Sequence, residues 1–327
     1  MRPAWLIAFA LPLLAQEART PVFQSESALA LVPFQVKRKH RYADDLKAED
    51  VILLEDGKPR KFTVFEGGGR SIPIEMALLF DTSGSVNDAG LLDPLEYQSA
   101  LLDRLSGVRL SVYTFNDSLF RQCAPTRDAA ELAAALGRVK GSRSGAAGPG
   151  GKIPLELPRG RKGGPATWLF ESIIATARNA AAEARVATRM LVVFSDGFPT
   201  TSTRPEEAAA VLSELGVPAY PVILGHANIA ARKADGQLGW PQMAELFMAD
   251  FARLAELTGG RSFDPPALNV TIVRQILDTM AAQAQGEYVV GFAPEPSPGG
   301  QRKHRLEVRL RSRELGTVHG GVRTLTH

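Results

Sequence analysis

Cysteine is nearly absent from these 327 residues, with Cys123 standing alone. A single thiol makes no intramolecular disulfide, so the fold must be held by its core. Cys123 follows an extended segment, residues 118–122, and no histidine stands near it in sequence, so an inert, partly buried thiol is expected rather than a nucleophile. Catalytic signatures are missing too. There is no His-Glu-x-x-His, no Gly-x-Ser-x-Gly and no dinucleotide fingerprint. The five histidines, His40, His226, His304, His319 and His327, are scattered. Gly151-Lys152 is followed by Ile153, which excludes a phosphate loop. An aspartyl phosphatase would want a second aspartate two residues after Asp81, and Ser83 stands there. A strong excess of one charge is also lacking: the formal net charge is +3. Basic clusters at 37–41 and 302–305, with Arg309, Arg311 and Arg313 at alternating positions, lack interleaved aromatics and read as solvated strand faces rather than a nucleic-acid surface.

Beyond the N-terminus no apolar run approaches membrane length. The N-terminus itself has the pattern of a secretory signal peptide: Arg2, a short apolar core over 4–14, and Leu13-Leu14-Ala15 before Gln16-Glu17. The expected division is a signal peptide at 1–15, a β-rich flank at 16–70, an α/β domain at 71–285 and a second β-rich flank at 286–327. The mature chain is expected to be exported, to the periplasm, the cell surface or the medium.

The α/β reading comes from alternation. Candidate strands lie at 74–80, 108–115, 189–195, 218–224 and 261–263. The apolar runs Met190-Leu191-Val192-Val193-Phe194 and Tyr220-Pro221-Val222-Ile223-Leu224 suit strands covered on both faces, as in a parallel sheet. Pro221 points to an edge or an irregularity. Candidate helices lie at 91–105, 128–139 after a Thr126 cap, 167–185, 205–215, 241–257 and 270–283. Thr203-Arg204-Pro205-Glu206 reads as a capping box. This order predicts a doubly wound, mostly parallel sheet. Residues 141–164, rich in Gly, Pro, Arg and Lys, are expected to form a mobile basic loop. The flanks carry extended pieces at 29–36, 51–54, 61–65, 287–292 and 304–310, with an Asp56-Gly57 hairpin signal. Each flank is too small to hold a core, so 286–327 is expected to pack with 28–70 as a β-sandwich-like add-on.

Chemistry concentrates where the first α/β strand ends. Asp81-Thr82-Ser83-Gly84-Ser85 places a carboxylate and two hydroxyls, spaced two residues apart, at the carboxyl edge of the sheet, where open α/β folds put ligand sites. Oxygen-only donors suit Mg²⁺, Mn²⁺ or Ca²⁺ rather than zinc or copper. Asp196, directly after another buried strand, and Thr167, at a helix start, are placed to converge on it. The alternative is plain local structure: Ser83, Ser85 and Thr167 as helix caps and Asp196 as a turn residue before Gly197.

These five positions resemble the metal-ion-dependent adhesion site of the von Willebrand factor type A domain, Asp81-x-Ser83-x-Ser85 matching its first loop, Thr167 its second and Asp196 its third. Leu54-Glu55-Asp56-Gly57-Lys58-Pro59 and Glu287-Tyr288-Val289-Val290-Gly291-Phe292 resemble the flanks of the exported bacterial VWFA-related family common in acidobacteria. The resemblance implies a parallel-dominated sheet wrapped by helices. It also implies a divalent cation, Mg²⁺ first with Mn²⁺ or Ca²⁺ as alternatives. Ser83, Ser85 and Thr167 would be direct ligands, with Asp81 and Asp196 acting largely through water. The implied partner is a protein ligand whose acidic side chain completes the shell, and the implied activity is non-enzymatic binding. A metal-dependent hydrolase, or a scaffold with a vestigial metal site, are the other readings. Two positions depart from the family: Pro165-Ala166 precede Thr167 where Gly-Gly or Gly-x is usual, and Glu171 stands where aspartate is common.

Overall fold

The computed structural model describes residues 30–39, 41–67, 73–140, 148–156, 167–182, 187–234, 239–294 and 302–326. The signal-peptide pattern lies outside them, as do 141–147 and 157–164 of the basic stretch. Among the described residues no helix is long and apolar enough to cross a membrane.

The N-terminal strands are β1 (Ala30–Arg38), β2 (Arg41–Tyr42), β3 (Val51–Glu55), β4 (Lys58–Arg60) and β5 (Val64–Gly67). Asp56 and Gly57 both take positive φ, 48° and 79°, which is the geometry a two-residue turn between β3 and β4 demands and the reason an Asp-Gly step suits it. The α/β region follows with β6 (Ile74–Asp81), α1 (Gly84–Asn87), α2 (Gln98–Leu102), β7 (Val108–Phe115), β8 (Leu119–Thr126), α3 (Ala129–Lys140), β9 (Lys152–Ile153) and α4 (Leu169–Ala181). It continues with β10 (Thr188–Ser195), α5 (Pro205–Leu215), β11 (Ala219–Ile223), α6 (His226–Ala234), α7 (Trp240–Thr258) and α8 (Val270–Gln285). The chain closes with β12 (Glu287–Phe292), β13 (Lys303–Leu310), β14 (Thr317–Gly320) and β15 (Val322–Thr326).

The central sheet has the order β11-β10-β6-β7-β8-β9. Its first four strands are parallel, and β8 and β9 are antiparallel additions. This is the doubly wound, mostly parallel architecture that the alternation predicts. Side chains of β6 divide by parity, as the pleat requires. Met76, Leu78 and Phe80 pack with Leu101, Leu132 and Val273, whereas Ala77 and Leu79 pack with Ile173, Leu212 and Phe251. Helices therefore cover both faces, which is why β6, β10 and β11 are apolar without alternation. Pro221 sits on the edge strand; beyond it, residues 261–263 contribute only the single bridge Val222–Phe263.

Several local expectations are corrected. The helix expected at 91–105 is broken, because Asp93-Pro94 starts a short 3₁₀ turn and only Gln98–Leu102 is α-helical. Asp128, not Thr126, caps α3, its Oδ1 accepting from the amides of Ala130 and Glu131. No capping box forms before α5: Arg204 takes the cap position, and the Thr203 hydroxyl is drawn away to donate to Glu171 Oε1 at 2.5 Å. Within the basic stretch, Lys152–Ile153 pairs with β8, and Glu156 forms an ion pair with Arg178 at 2.7 Å. Cys123 is buried more fully than expected, and burial pushes its thiol up to about 11, which leaves it inert.

The flanking strands interleave across the ends of the chain. One sheet runs β14-β1-β12-β5 and the other β15-β13-β3-β4. Val32, Phe34 and Tyr288 from the first share a buried apolar cluster with Leu53, Leu306 and Val308 from the second.

Candidate metal centre

Because β6, β7 and β10 are parallel, Asp81, Phe115 and Ser195 end their strands at one edge of the sheet. Asp81 is fully buried there. Its Oδ1 accepts from the Ser83 amide at 2.8 Å, and its Oδ2 accepts from the Ser195 hydroxyl at 2.6 Å. Ser195 Oγ in turn accepts from the Gly197 amide at 3.0 Å, so one hydroxyl ties the first loop to the third. Thr82 anchors the first loop from the other side, its amide and hydroxyl both donating to the Phe115 carbonyl.

The serines do not do the work of a helix cap. Ser83 stands at the N-cap of α1, but its side chain makes no capping bond. Instead Ser83 Oγ and Ser85 Oγ lie 3.2 Å apart, and Ser85 also hydrogen-bonds to Asp196. Asp196 does act as a turn residue with one oxygen, Oδ1 accepting from the Phe198 amide at 3.2 Å. Gly197 bends the chain immediately after it at φ +81°, and a Cβ there would crowd Phe251 at 3.3 Å.

Thr167 precedes α4, whose cap position belongs to Trp168. Its amide donates to Thr200 Oγ1 at 2.8 Å, and its carbonyl accepts from the Thr200 amide at 3.1 Å. The Trp168 amide donates to the Asn116 carbonyl just past β7. Thr167 is thus held between the loops that leave β7 and β10. Glu171, one turn into α4 and buried, accepts from the hydroxyls of Thr201 and Thr203, binding the third loop to the same helix.

The electrostatics are one-sided. Burial, and after it the charge of Asp196, raises the Asp81 carboxyl to about 7. Burial raises Asp196 as well. Among the described residues neither carboxylate pairs with a lysine or arginine; their partners are hydroxyls and amides. Two buried acids facing each other with only neutral donors around them suit a hard divalent cation, whose charge would offset both. No three His, Cys, Asp or Glu side chains cluster as a metal set among the described residues, so hydroxyls would have to supply part of any shell.

Ser195, Asn116 and Thr200 were not singled out by sequence reasoning. Ser195 carried a signal: a lone hydroxyl closing the run Met190-Leu191-Val192-Val193-Phe194 and standing beside Asp196. Asn116 acts through its backbone carbonyl and Thr200 through its hydroxyl and amide, contacts that depend on how the loops meet rather than on any sequence pattern.

No family model matches the chain, and no curated protein matches it. Among solved structures, proximal thread matrix protein 1 from the mussel byssus is 15% identical with a TM-score of 0.39, covering 70% of this chain and 49% of that one. BatB from Bacteroides thetaiotaomicron is 14% identical with a TM-score of 0.41, over 64% of this chain and 98% of that one. The manganese-loaded TRAP protein of Plasmodium vivax is 14% identical at 0.41, over 84% and 98%. This chain thus spans about half the length of the mussel protein. Likenesses of this size assign neither family nor activity.

Proposed function

We propose that this chain is an exported, non-enzymatic protein-binding module of the von Willebrand factor A kind. In this reading Asp81, Ser83, Ser85, Thr167 and Asp196 hold one divalent cation, Mg²⁺ first, and an acidic side chain of a protein ligand completes the shell. The observation that carries the reading is the buried juxtaposition of Asp81 and Asp196 with hydroxyls and without a basic partner. When bound, the cation supplies positive charge and an open coordination position. The chain supplies the rest. Ser195 and the Ser83 amide orient the Asp81 carboxylate, the Phe198 amide orients Asp196, and the Thr200 and Asn116 contacts hold Thr167 at the rim.

The test is capture from cell-envelope extract with Mg²⁺ or with chelator, using the natural protein and Asp81→Ala. Specific partners should be retained only by the natural protein with Mg²⁺. Equal retention under chelation contradicts the reading and favours a scaffold. Cation-dependent turnover in phosphatase or esterase assays favours a hydrolase.

A further inference from the structure

A cavity of about 230 Å³ opens directly beside the candidate metal centre and shares two of its residues, Ser85 and Asp196. The rest of its lining carries no polar side chain apart from the Trp240 indole: buried Leu224, Ile229 and Met248, half-buried Leu91, Gly225 and exposed Ala89. Phe198 and Trp240 close one side, their rings stacked with centroids 5.6 Å apart and an interplanar angle of 16°. Phe198 is also the residue whose amide fixes Asp196, so the aromatic wall and the carboxylate are set by one turn. Trp240 is 47% exposed, and Met243 and Leu246, on successive turns of α7, are 51% and 67% exposed. These spacings put all three on one side of the helix.

Water gains little in such a cavity, since Ser85 and Asp196 are its main polar contacts and a buried water wants two to four polar partners. The volume is below the range of about 300–1,000 Å³ that holds a drug-sized ligand or cofactor. It suits one large side chain. The apolar depth excludes a charged one, and the Asp196 carboxylate at the rim repels a second acid.

Resting on the function proposed above, we infer that the centre and the cavity are read together by one protein segment. That segment carries an acidic residue for the cation and, close to it in sequence, a leucine, methionine or phenylalanine for the cavity. The exposed edge of Trp240, Met243 and Leu246 would extend the apolar contact along α7.

The test uses the full chain with saturating Mn²⁺ and a set of acetylated, amidated hexapeptides. Each contains one Asp, with a Leu at one neighbouring position in turn and Ser elsewhere, and an all-Ser version is the reference. The best Leu peptide should bind at least about tenfold tighter than the reference, the scale of burying one such side chain. That advantage should vanish in Ala89→Phe, which puts a ring at an exposed position lining the cavity, and shrink in Trp240→Ser, with Mn²⁺ affinity unchanged in both. Melting curves establish that both variants fold; if one does not, the other carries the test. Mn²⁺ binding with equal Leu and Ser peptides, with no peptide binding at all, or with a Leu advantage that survives both variants overturns the inference and leaves the metal centre standing. Absence of Mn²⁺ binding by the natural protein overturns the centre itself.

Discussion

The two ends of β6 treat a buried acid in opposite ways. At its amino end Glu75 is 7% exposed and lies between two guanidinium groups, Arg109 at 2.7 Å and Arg189 at 3.9 Å. Arg109 is itself satisfied, donating to the Pro125 carbonyl at 2.6 Å. About 20 Å further along the strand, Asp81 is fully buried, faces a second carboxylate and has hydroxyl and amide donors only. Both acids share the face of Ala77 and Leu79, so pleat and burial do not separate them. What differs is where their charge is answered: by two arginines inside the chain for Glu75, and, on the function proposed above, by a bound cation for Asp81.

Breaking the Asp81 end should give the largest effect. At a Mg²⁺ or Mn²⁺ concentration a hundredfold above Kd, the cation stabilises the fold by about 2.7 kcal/mol, raising Tm by roughly 5–10 °C for a unit of this size. In Asp81→Ala the rise should be absent, as scanning calorimetry with and without chelator would show. Breaking the other end should cost stability in both conditions. Glu75→Gln removes the negative charge that Arg109 and Arg189 share and should lower unfolding free energy by about 2 kcal/mol, measured by urea titration, with the cation response intact.

The ion-free protein should sharpen the contrast further through pH. The folded pKa of Asp81 lies above its unfolded value, so this carboxyl contributes stability that is present at low pH and is lost as pH rises towards about 7. Without cation the chain should therefore be less stable at pH 8 than at pH 5, and Asp81→Asn should recover about 1 kcal/mol at pH 8. Glu287, which burial raises to about 8, adds to the same slope, so the Asp81 share is the part that Asp81→Asn removes, and an unchanged slope in that variant would contradict the contrast with Glu75. The smallest effect belongs to Glu171→Gln. It weakens the two threonine contacts that hold the third loop and should reduce cation affinity only severalfold, at about 1 kcal/mol or less of stability.

Strands were the most legible part of the sequence, for a physical reason. Met190 to Phe194 and Met76 to Phe80 are continuous apolar runs, and only a sheet covered on both faces accepts them. Helix ends were less legible. Thr203 has the chemistry of a cap, but Glu171 competes for its hydroxyl, and only the packing of α4 against that loop decides which partner wins. Asp81 and Asp196 could be placed at one edge because both follow buried strands. The bond from Ser195 to Asp81 could not, since it depends on the register of β10 against β6. The cavity beside Asp196 was invisible in the sequence: Leu91, Phe198, Leu224 and Trp240 come from four separate segments.

The most direct test of the central contrast is calorimetric titration of Mn²⁺ into three proteins at pH 8: the natural chain, Glu75→Gln and Asp81→Ala. One ion should bind the natural chain and Glu75→Gln with equal affinity, and none should bind Asp81→Ala. Equal binding by all three, or loss of binding in Glu75→Gln while Asp81→Ala retains it, would contradict the assignment of the cation to the carboxyl end of β6.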